Sequence, residues 1–176
     1  MEPANLRPGI RLIHGFPPIE RRGARVLVLG SMPGVASLTA GEYYAHPRNQ
    51  FWRIASEIYG FDVAASYRRR TQALSLAGVA LWDVLASCAR PGSLDSDIDE
   101  HSIVVNPFAE FLDRQRDIQR VCFNGRKAES SWRRYVQGGL PPGRKLEYRS
   151  LPSTSPAYAG MSYLLKLRIW RSAMKC

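Results

Sequence analysis

One apolar run, Val26-Leu27-Val28-Leu29, constrains the fold of this chain more than any other stretch. Four consecutive branched aliphatic residues are typical of a strand that is buried on both faces, as in a parallel sheet covered by helices. The run ends at a sharp turn, Gly30-Ser31-Met32-Pro33-Gly34, and a long loop follows as far as Asn49. Open α/β sheets bind ligands at the carboxyl ends of their strands, so this loop is where we first expect function.

Strand and helix patterns alternate along the rest of the chain. Apolar runs predict strands at about residues 24–29, 79–85, 119–125 and 145–151. Helical spacing predicts helices from Phe51 to a stop at Gly60, over 71–77, from Asn106-Pro107 onwards, over 126–136, and around 163–170. Asn106 is the expected N-cap of its helix, with Pro107 at the first helical position. The alternation predicts a mostly parallel sheet with helices on both faces.

Three other stretches carry no strand or helix prediction of their own. Residues 1–24 should form an extended arm, because their four prolines would break a helix. Residues 67–70 are a basic run that we expect to be solvated or near phosphate, and residues 87–100 are a polar, turn-rich connection. No linker or repeat divides the 176 residues, so we expect one domain.

The charge of the chain indicates its class of partner. Lys and Arg number 25 against 15 Asp and Glu, which gives a formal net charge of +10. A basic surface binds phosphate backbones because binding releases their counterions, and this favours DNA or another nucleic acid as partner. The alternative is a solvated basic surface without a polyanionic partner.

The cysteines and the apolar segments exclude several classes of protein. Cys88, Cys122 and Cys176 are far apart and form no CxxC pair, so we expect no metal site and no cofactor. Free thiols suit a reducing cytosol. No apolar run reaches the ~18 residues of a membrane span, and the first residues lack the apolar core of a signal peptide. We therefore expect a cytoplasmic monomer with no membrane partner.

Two blocks of the chain carry specific motifs. The first joins the turn Gly30-Ser31-Met32-Pro33-Gly34 to Tyr43-Tyr44-Ala45-His46-Pro47-Arg48-Asn49-Gln50-Phe51-Trp52. This block resembles the first motif of the uracil-DNA glycosylase superfamily and is most similar to its hypoxanthine-DNA glycosylase branch. The turn alone is a weak signal, whereas the turn and the ten-residue block at this separation are specific. The resemblance implies a three-layer α/β/α sandwich with a four-stranded parallel sheet, with active-site loops at the carboxyl ends of the strands.

The resemblance also implies which residues bind the base. Tyr44 stands where a related branch has its stacking aromatic, Asn124 stands at the base-reading position, and Ser31, Met32 and Gly34 join them. Stacking on an aromatic ring is worth roughly 1–3 kcal/mol per base. An amide can both donate and accept, as the Watson–Crick edges of hypoxanthine and uracil require. The alternatives are a half-buried loop aromatic and an ordinary turn asparagine.

Asn49 is the catalytic residue that the resemblance implies. Most uracil-removing branches carry Asp or Asn at the position of Met32, where it places the attacking water, and methionine cannot do this. The histidine that several branches have in their second motif is also missing. The hypoxanthine branch instead uses the asparagine of the first block. The alternative for Asn49 is a helix cap, and both roles can coexist. For His46 we expect a hydrogen bond to backbone that fixes the loop.

The second block follows the last predicted strand and resembles the loop that enters the minor groove. It reads Leu151-Pro152-Ser153-Thr154-Ser155-Pro156-Ala157-Tyr158. Small hydroxyl residues bind phosphate oxygens without bulk, so we assign DNA binding to Ser153, Thr154, Ser155, Pro156, Ala157 and Tyr158. Either Ala157 or Tyr158 fills the space left by the extruded base. The alternative is a plain turn that joins a strand to a helix.

These observations lead to one functional hypothesis and three rivals. The hypothesis is a monofunctional DNA glycosylase that removes deaminated bases, hypoxanthine first, from its partner DNA. No lysine lies beside the motifs, so we expect no lyase step. The rivals are a uracil- or mismatch-specific glycosylase, a catalytically silent nucleic-acid-binding module, and a nucleotide-phosphate enzyme. The last of these fails because no Lys-Ser/Thr follows the glycine-rich turn.

Overall fold

The computed structural model describes residues 12–175. Their strands are β1 (Leu12–His14), β2 (Val26–Gly30), β3 (Val79–Asp83), β4 (Leu85–Ala89), β5 (Asp99–Val105), β6 (Arg120–Asn124) and β7 (Glu147–Leu151). Their α-helices are α1 (Val35–Ala40), α2 (Phe51–Tyr59), α3 (Tyr67–Leu76), α4 (Phe108–Arg114), α5 (Arg126–Tyr135) and α6 (Tyr163–Met174).

Four parallel strands form the central sheet, in the order β3-β2-β6-β7. Every residue of β2 and β3 is buried, as expected for strands that helices cover on both faces. The register places Gly30 beside Asp83 and Asn124 beside Leu151. The predicted four-stranded parallel sheet is confirmed, and the loops that follow its strands leave from the same edge.

Aromatic side chains hold the helices in two layers around this sheet. In one layer α2 contacts both α3 and α6, and Phe51 packs edge-on against Trp170 with ring centroids 5.9 Å apart. In the other layer Phe108 of α4 packs edge-on against Trp132 of α5 at 4.8 Å. Trp132 in turn lies 5.9 Å from Phe123 of β6. The three-layer α/β/α sandwich implied by the resemblance is therefore confirmed.

A small antiparallel sheet, β1-β4-β5, lies beside the sandwich. The turn-rich connection predicted over residues 87–100 is confirmed for 90–98, whereas the end of β4 and the start of β5 occupy its two ends. The predicted strand 79–85 also ends earlier, at Asp83. There the chain bends, and the N–H of Val84 donates to Gly30 O at 2.9 Å. This bend carries β4 across the turn that follows β2.

The helices differ from the predictions at their starts. Within the loop 30–49 the structure adds the short helix α1, and α3 begins at Tyr67, so the basic run 67–70 is its first turn. Pro107, not Asn106, occupies the N-cap position of α4. Asn106 is buried, and its Nδ2 donates to the backbone oxygen of Asp83 at 2.8 Å, since that carbonyl leaves the sheet at the bend.

The described part of the N-terminal arm packs on both sheets. Strand β1 pairs with β4, and Ile19 forms a bridge with Leu81 of β3. Residues 1–11 of the predicted arm lie outside the described residues. Within residues 12–175, none of the helices combines the length and the apolar character needed to cross a bilayer.

Candidate active site

One cavity of about 150 Å³ lies at the carboxyl ends of the four parallel strands. One water needs roughly 10–15 Å³, so this cavity has room for a molecule of about ten non-hydrogen atoms. Gly30 ends β2, Asp83 ends β3 and Asn124 ends β6, and all three line the cavity. The loop after β7 adds Ser153–Pro156, so every strand of the central sheet contributes.

The cavity gathers most of the residues that the sequence marks as functional. Ten of them line it, namely Ser31, Met32, Gly34, Tyr44, Asn49, Asn124, Ser153, Thr154, Ser155 and Pro156. Ala157 and Tyr158 do not, and both are exposed where the same loop continues. Within the described chain no three His, Cys, Asp or Glu side chains are grouped so that they could hold a metal ion.

Glycine at position 30 makes room for two polar side chains. A Cβ atom there would overlap Oδ1 of Asp83 and would lie 3.1 Å from Oη of Tyr44. Both oxygens therefore sit over the end of β2, close to each other. The first glycine of the turn is thus needed for close packing of the site and not only for the turn itself.

Asp83 is a candidate functional residue that the sequence analysis did not single out. Its carboxyl ends a buried strand and is only 3 % exposed, and Oδ2 has no hydrogen-bond partner. Burial raises the pKa of Asp83 to about 7, and the neighbouring carboxyl of Asp95 acts in the same direction. A perturbed, buried acid in a cleft is a recognised mark of a functional site. The signal was present in the sequence as the one acid that closes the apolar run Val79-Ala80-Leu81-Trp82.

Tyr44 forms one wall of the cavity in an unusual backbone conformation. Its backbone φ angle is +56°, a value that residues other than glycine rarely adopt. Phe51 stacks on one face of the ring, with centroids 4.2 Å apart and planes 29° apart. A base could therefore contact only the opposite face. The buried hydroxyl forms no hydrogen bond of standard geometry. Burial, followed by the charge of Asp83, raises the pKa of Tyr44, whereas the nearby side chain of Asn124 lowers it.

Asn49 and His46 are held by the backbone of their own loop. Oδ1 of Asn49 accepts from the N–H of Phe51 at 3.0 Å, a capping contact at the start of α2. Its Nδ2 is outside that bond, and the residue lines the cavity. Nδ1 of His46 accepts from the N–H of Arg48 at 3.1 Å, which confirms the backbone hydrogen bond expected for this histidine. The proton of a neutral His46 ring is then on Nε2.

Asn124 joins the end of β6 to the loop after β7. Its Nδ2 donates to Oγ1 of Thr154, and its Oδ1 accepts from the N–H of Thr154, both at 2.9 Å. Each amide atom keeps one further hydrogen-bonding direction that a base could use. The carbonyl of Thr154 in turn accepts from the N–H of Gln50 at 3.0 Å. Thr154 therefore ties both blocks of the resemblance to one strand end.

The loop after β7 is braced by helix α6. Nζ of Lys166 donates to the carbonyl of Tyr158 at 2.8 Å, and Nε1 of Trp170 donates to that of Pro152 at 3.0 Å. Inside the loop, the hydroxyl oxygens of Ser153 and Ser155 accept from backbone N–H groups two residues ahead. These bonds leave both hydroxyl hydrogens available as donors to a phosphate.

The connection between β4 and β5 holds the turn after β2. Nη2 of the buried Arg90 donates to the carbonyl of Pro33 at 2.6 Å. Oγ of Ser31 donates to Oδ1 of Asp95 at 2.7 Å, and Oγ of Ser93 accepts from the N–H of Val35 at 2.8 Å. Ser93 and Asp95 also line the cavity. Sequence reasoning missed these residues because it placed them in an irregular connection.

Fold and cavity together define a three-layer enzyme-like α/β domain with a nucleobase-sized site at its strand ends. Comparison with known families makes this specific. The family described as the Uracil DNA glycosylase superfamily matches residues 17–173, and the chain belongs to this superfamily.

Individual relatives are similar over most of the chain. A Hypoxanthine DNA glycosylase of Methanosarcina acetivorans is 33 % identical over 147 residues, which are 81 % of this chain and 86 % of the relative. A Hypoxanthine DNA glycosylase of Methanosarcina barkeri is 37 % identical over 115 residues, 65 % of this chain and 72 % of the relative. A solution NMR structure from M. acetivorans, provisionally described as a uracil DNA glycosylase, superimposes with a TM-score of 0.77 at 29 % identity. The match covers 93 % of this chain and 97 % of that one.

Proposed function

We propose that the protein is a monofunctional DNA glycosylase that removes deaminated bases, with hypoxanthine as its first substrate. The observation that carries the proposal is the union of both sequence blocks around one cavity. Thr154 connects the two blocks, because its carbonyl accepts from the N–H of Gln50 and its hydroxyl and N–H are hydrogen-bonded to the side chain of Asn124. Superfamily membership and two relatives named Hypoxanthine DNA glycosylase support the same reaction.

DNA binding follows from charge and from the loop after β7. The chain has a net charge of +10, and Arg48 and Arg126 are exposed two residues beyond His46 and Asn124 of the cavity wall. These cations and the hydroxyl donors of the loop contact phosphates on either side of the damaged nucleotide. The exposed Ala157 or Tyr158 fills the space that the extruded base leaves in the duplex.

The extruded base enters the cavity between Tyr44 and the amide of Asn124. Asn49 uses its remaining lone pair and its N–H groups to hold a water against the anomeric carbon of the sugar. The C1′–N9 bond breaks through an oxocarbenium-like transition state, and the electron pair of the bond passes into the base. Water adds to C1′, so deoxyinosine and water give hypoxanthine and an abasic sugar. We expect no cleavage of the DNA backbone.

The rival substrate is uracil in a mismatch. Met32 lines the cavity where uracil-removing branches carry a water-placing side chain, and this favours hypoxanthine. We further propose that the protein acts as a monomer in the cytoplasm, because its free thiols suit a reducing environment.

A direct assay tests the proposal. Duplexes that contain hypoxanthine, uracil or xanthine are incubated with the protein, and abasic sites are revealed with alkali. We expect the fastest release from deoxyinosine, a loss of about 100-fold or more in Asn49→Ala, and no loss in Gln72→Ala, an exposed amide on α3. Salt-sensitive DNA binding without release of any base would instead identify a silent binding module.

A further inference from the structure

The buried carboxyl of Asp83 has no role in the reaction described so far. It lies at the end of a central strand, lines the cavity, and shares the space above Gly30 with the hydroxyl of Tyr44. One of its carboxyl oxygens, Oδ2, is buried and lacks a hydrogen-bond partner. Unpartnered polar atoms are rare in protein interiors, so such an oxygen in a ligand-sized cavity indicates a missing ligand.

The surroundings of Asp83 favour its neutral form. The cation Arg90 acts in the opposite direction on the pKa of Asp83, but it donates to the carbonyl of Pro33 and pairs with Asp95 at 3.8 Å. Asp95 adds a second carboxyl on the far side of the turn, and three phenols, Tyr43, Tyr44 and Tyr67, also lie within electrostatic range. His46 is the remaining titratable group of the cavity wall. An ionised carboxylate without a partner in such a site is costly, and burial raises its pKa to about 7.

A neutral carboxyl is chemically suited to the leaving base. Deamination leaves an oxo oxygen on the base, and negative charge collects on that oxygen as the C1′–N9 bond breaks. An acid O–H placed there stabilises the transition state more than the ground state, whereas a carboxylate would repel the same charge. Ionised Asp83 could alternatively act as a base that places water. The two roles predict opposite responses to pH.

We propose that Asp83 acts as a neutral acid that donates a hydrogen bond to the oxo oxygen of the extruded base. Its proton stays on the carboxyl throughout, and the proton that the departing base requires comes from the attacking water through solvent. The inference rests on the proposed glycosylase function. It makes Asp83 a catalytic residue whose ionisation switches the enzyme off.

The test is a pH profile of single-turnover rates on a duplex containing deoxyinosine, from about pH 5.5 to about pH 9. For the wild-type protein we expect a rate that falls about tenfold per pH unit above a midpoint near 7. Asp83→Asn keeps a donor and an acceptor but cannot ionise. It should stay within about tenfold of the wild type at low pH, lose the alkaline decline, and exceed the wild type at pH 9. Asp83→Ala should be about 100-fold slower at low pH.

Matched controls separate a catalytic from a merely structural role. Asp97→Asn removes an exposed carboxyl from the same region of the chain, outside the cavity wall, and should keep the wild-type profile. A wild-type rate that rises through neutral pH would overturn the proposal. So would an Asp83→Asn variant that is folded but inactive, or one that retains the alkaline decline, since that decline would then belong to another group.

A second measurement does not depend on activity. Carbon-13 NMR of Asp-labelled protein reports the titration of each carboxyl, and the resonance that disappears in Asp83→Asn should have its midpoint near 7. A midpoint near the ordinary value of about 4 would overturn the neutral-acid role even if the glycosylase reaction is observed. Failure of the wild type to release any base, with a midpoint near 7, would instead refute the proposed function alone.

Discussion

The role that we propose for Asp83 has a consequence for the stability of the protein. An aspartate in the unfolded chain has a pKa of about 3.9, whereas folding raises the pKa of Asp83 to about 7. Between these values the folded state binds more protons than the unfolded state. The contribution of Asp83 to stability is therefore complete below about pH 4 and is lost as the pH rises through 7.

This linkage gives a stability prediction for Asp83→Asn. Above pH 7 the wild type must bury an ionised carboxylate, at a cost of about 2–4 kcal/mol, and the amide avoids this cost. We expect the variant to be more stable than the wild type by about this amount at pH 8, with the difference shrinking towards pH 4. Urea unfolding at both pH values measures it. A constant difference between the two pH values would show that Asp83 does not titrate in this range.

Tyr44 provides a second prediction at this scale, because its ring and its hydroxyl can be tested separately. Tyr44→Phe keeps the ring against Phe51 and removes a buried hydroxyl that forms no hydrogen bond of standard geometry. We expect unchanged or higher stability, by up to about 1 kcal/mol, and a rate on deoxyinosine close to that of the wild type. Tyr44→Ala loses the base contact and should weaken substrate binding by about 1–3 kcal/mol. Equal activity of both variants would remove Tyr44 from the base site.

The sequence identified the residues of the loops better than it identified Asp83. Tyr44, Asn49 and Asn124 could be predicted to share one site because they stand at motif positions of the resemblance, and all three line the cavity. Asp83 ends an ordinary strand, and its burial depends on distant segments, since its carboxyl lies over Gly30 together with the hydroxyl of Tyr44. Local sequence does not contain that information. A carboxylate that ends an apolar run next to the predicted site is nevertheless a usable signal.

At the scale of elements, the central sheet was predictable and the small sheet was not. Strands β2, β3 and β6 are apolar and buried, so their period and composition identify them. Strand β4 reads Leu-Ala-Ser-Cys-Ala, which has little intrinsic preference for a strand, and β5 begins with charged residues and is mostly half-exposed. Strand β4 pairs with both β1 and β5, and these contacts between distant segments define the small sheet. The local sequence of each strand does not reveal them.

Helix α6 should control the loop that we assign to DNA. Lys166→Met keeps a long buried side chain but removes the donor to the carbonyl of Tyr158. We expect amide exchange at Tyr158 to accelerate about tenfold and DNA binding to weaken, because the loop loses one end of its brace. Arg168→Met, an exposed change on the same helix, is the control. Unchanged exchange at Tyr158 in Lys166→Met would show that Trp170 alone holds the loop.

The net charge of +10 is a property of the whole molecule. If DNA binds at the cavity, the basic residues that contact its phosphates must lie on the face that carries the cavity. Arg126 is exposed at the start of α5, directly after the end of β6, whereas Arg116 is exposed near the opposite, amino-terminal edge of that strand. Each phosphate contact contributes about −0.9 to the slope of log K against log salt on duplex DNA. Arg126→Gln should therefore reduce the magnitude of that slope by about 1, and Arg116→Gln should leave it unchanged. Fluorescence anisotropy with an inosine-containing duplex at several salt concentrations measures both. Equal effects of the two variants would mean that the DNA does not dock with the strand ends facing it, and the cavity could then not receive an extruded base.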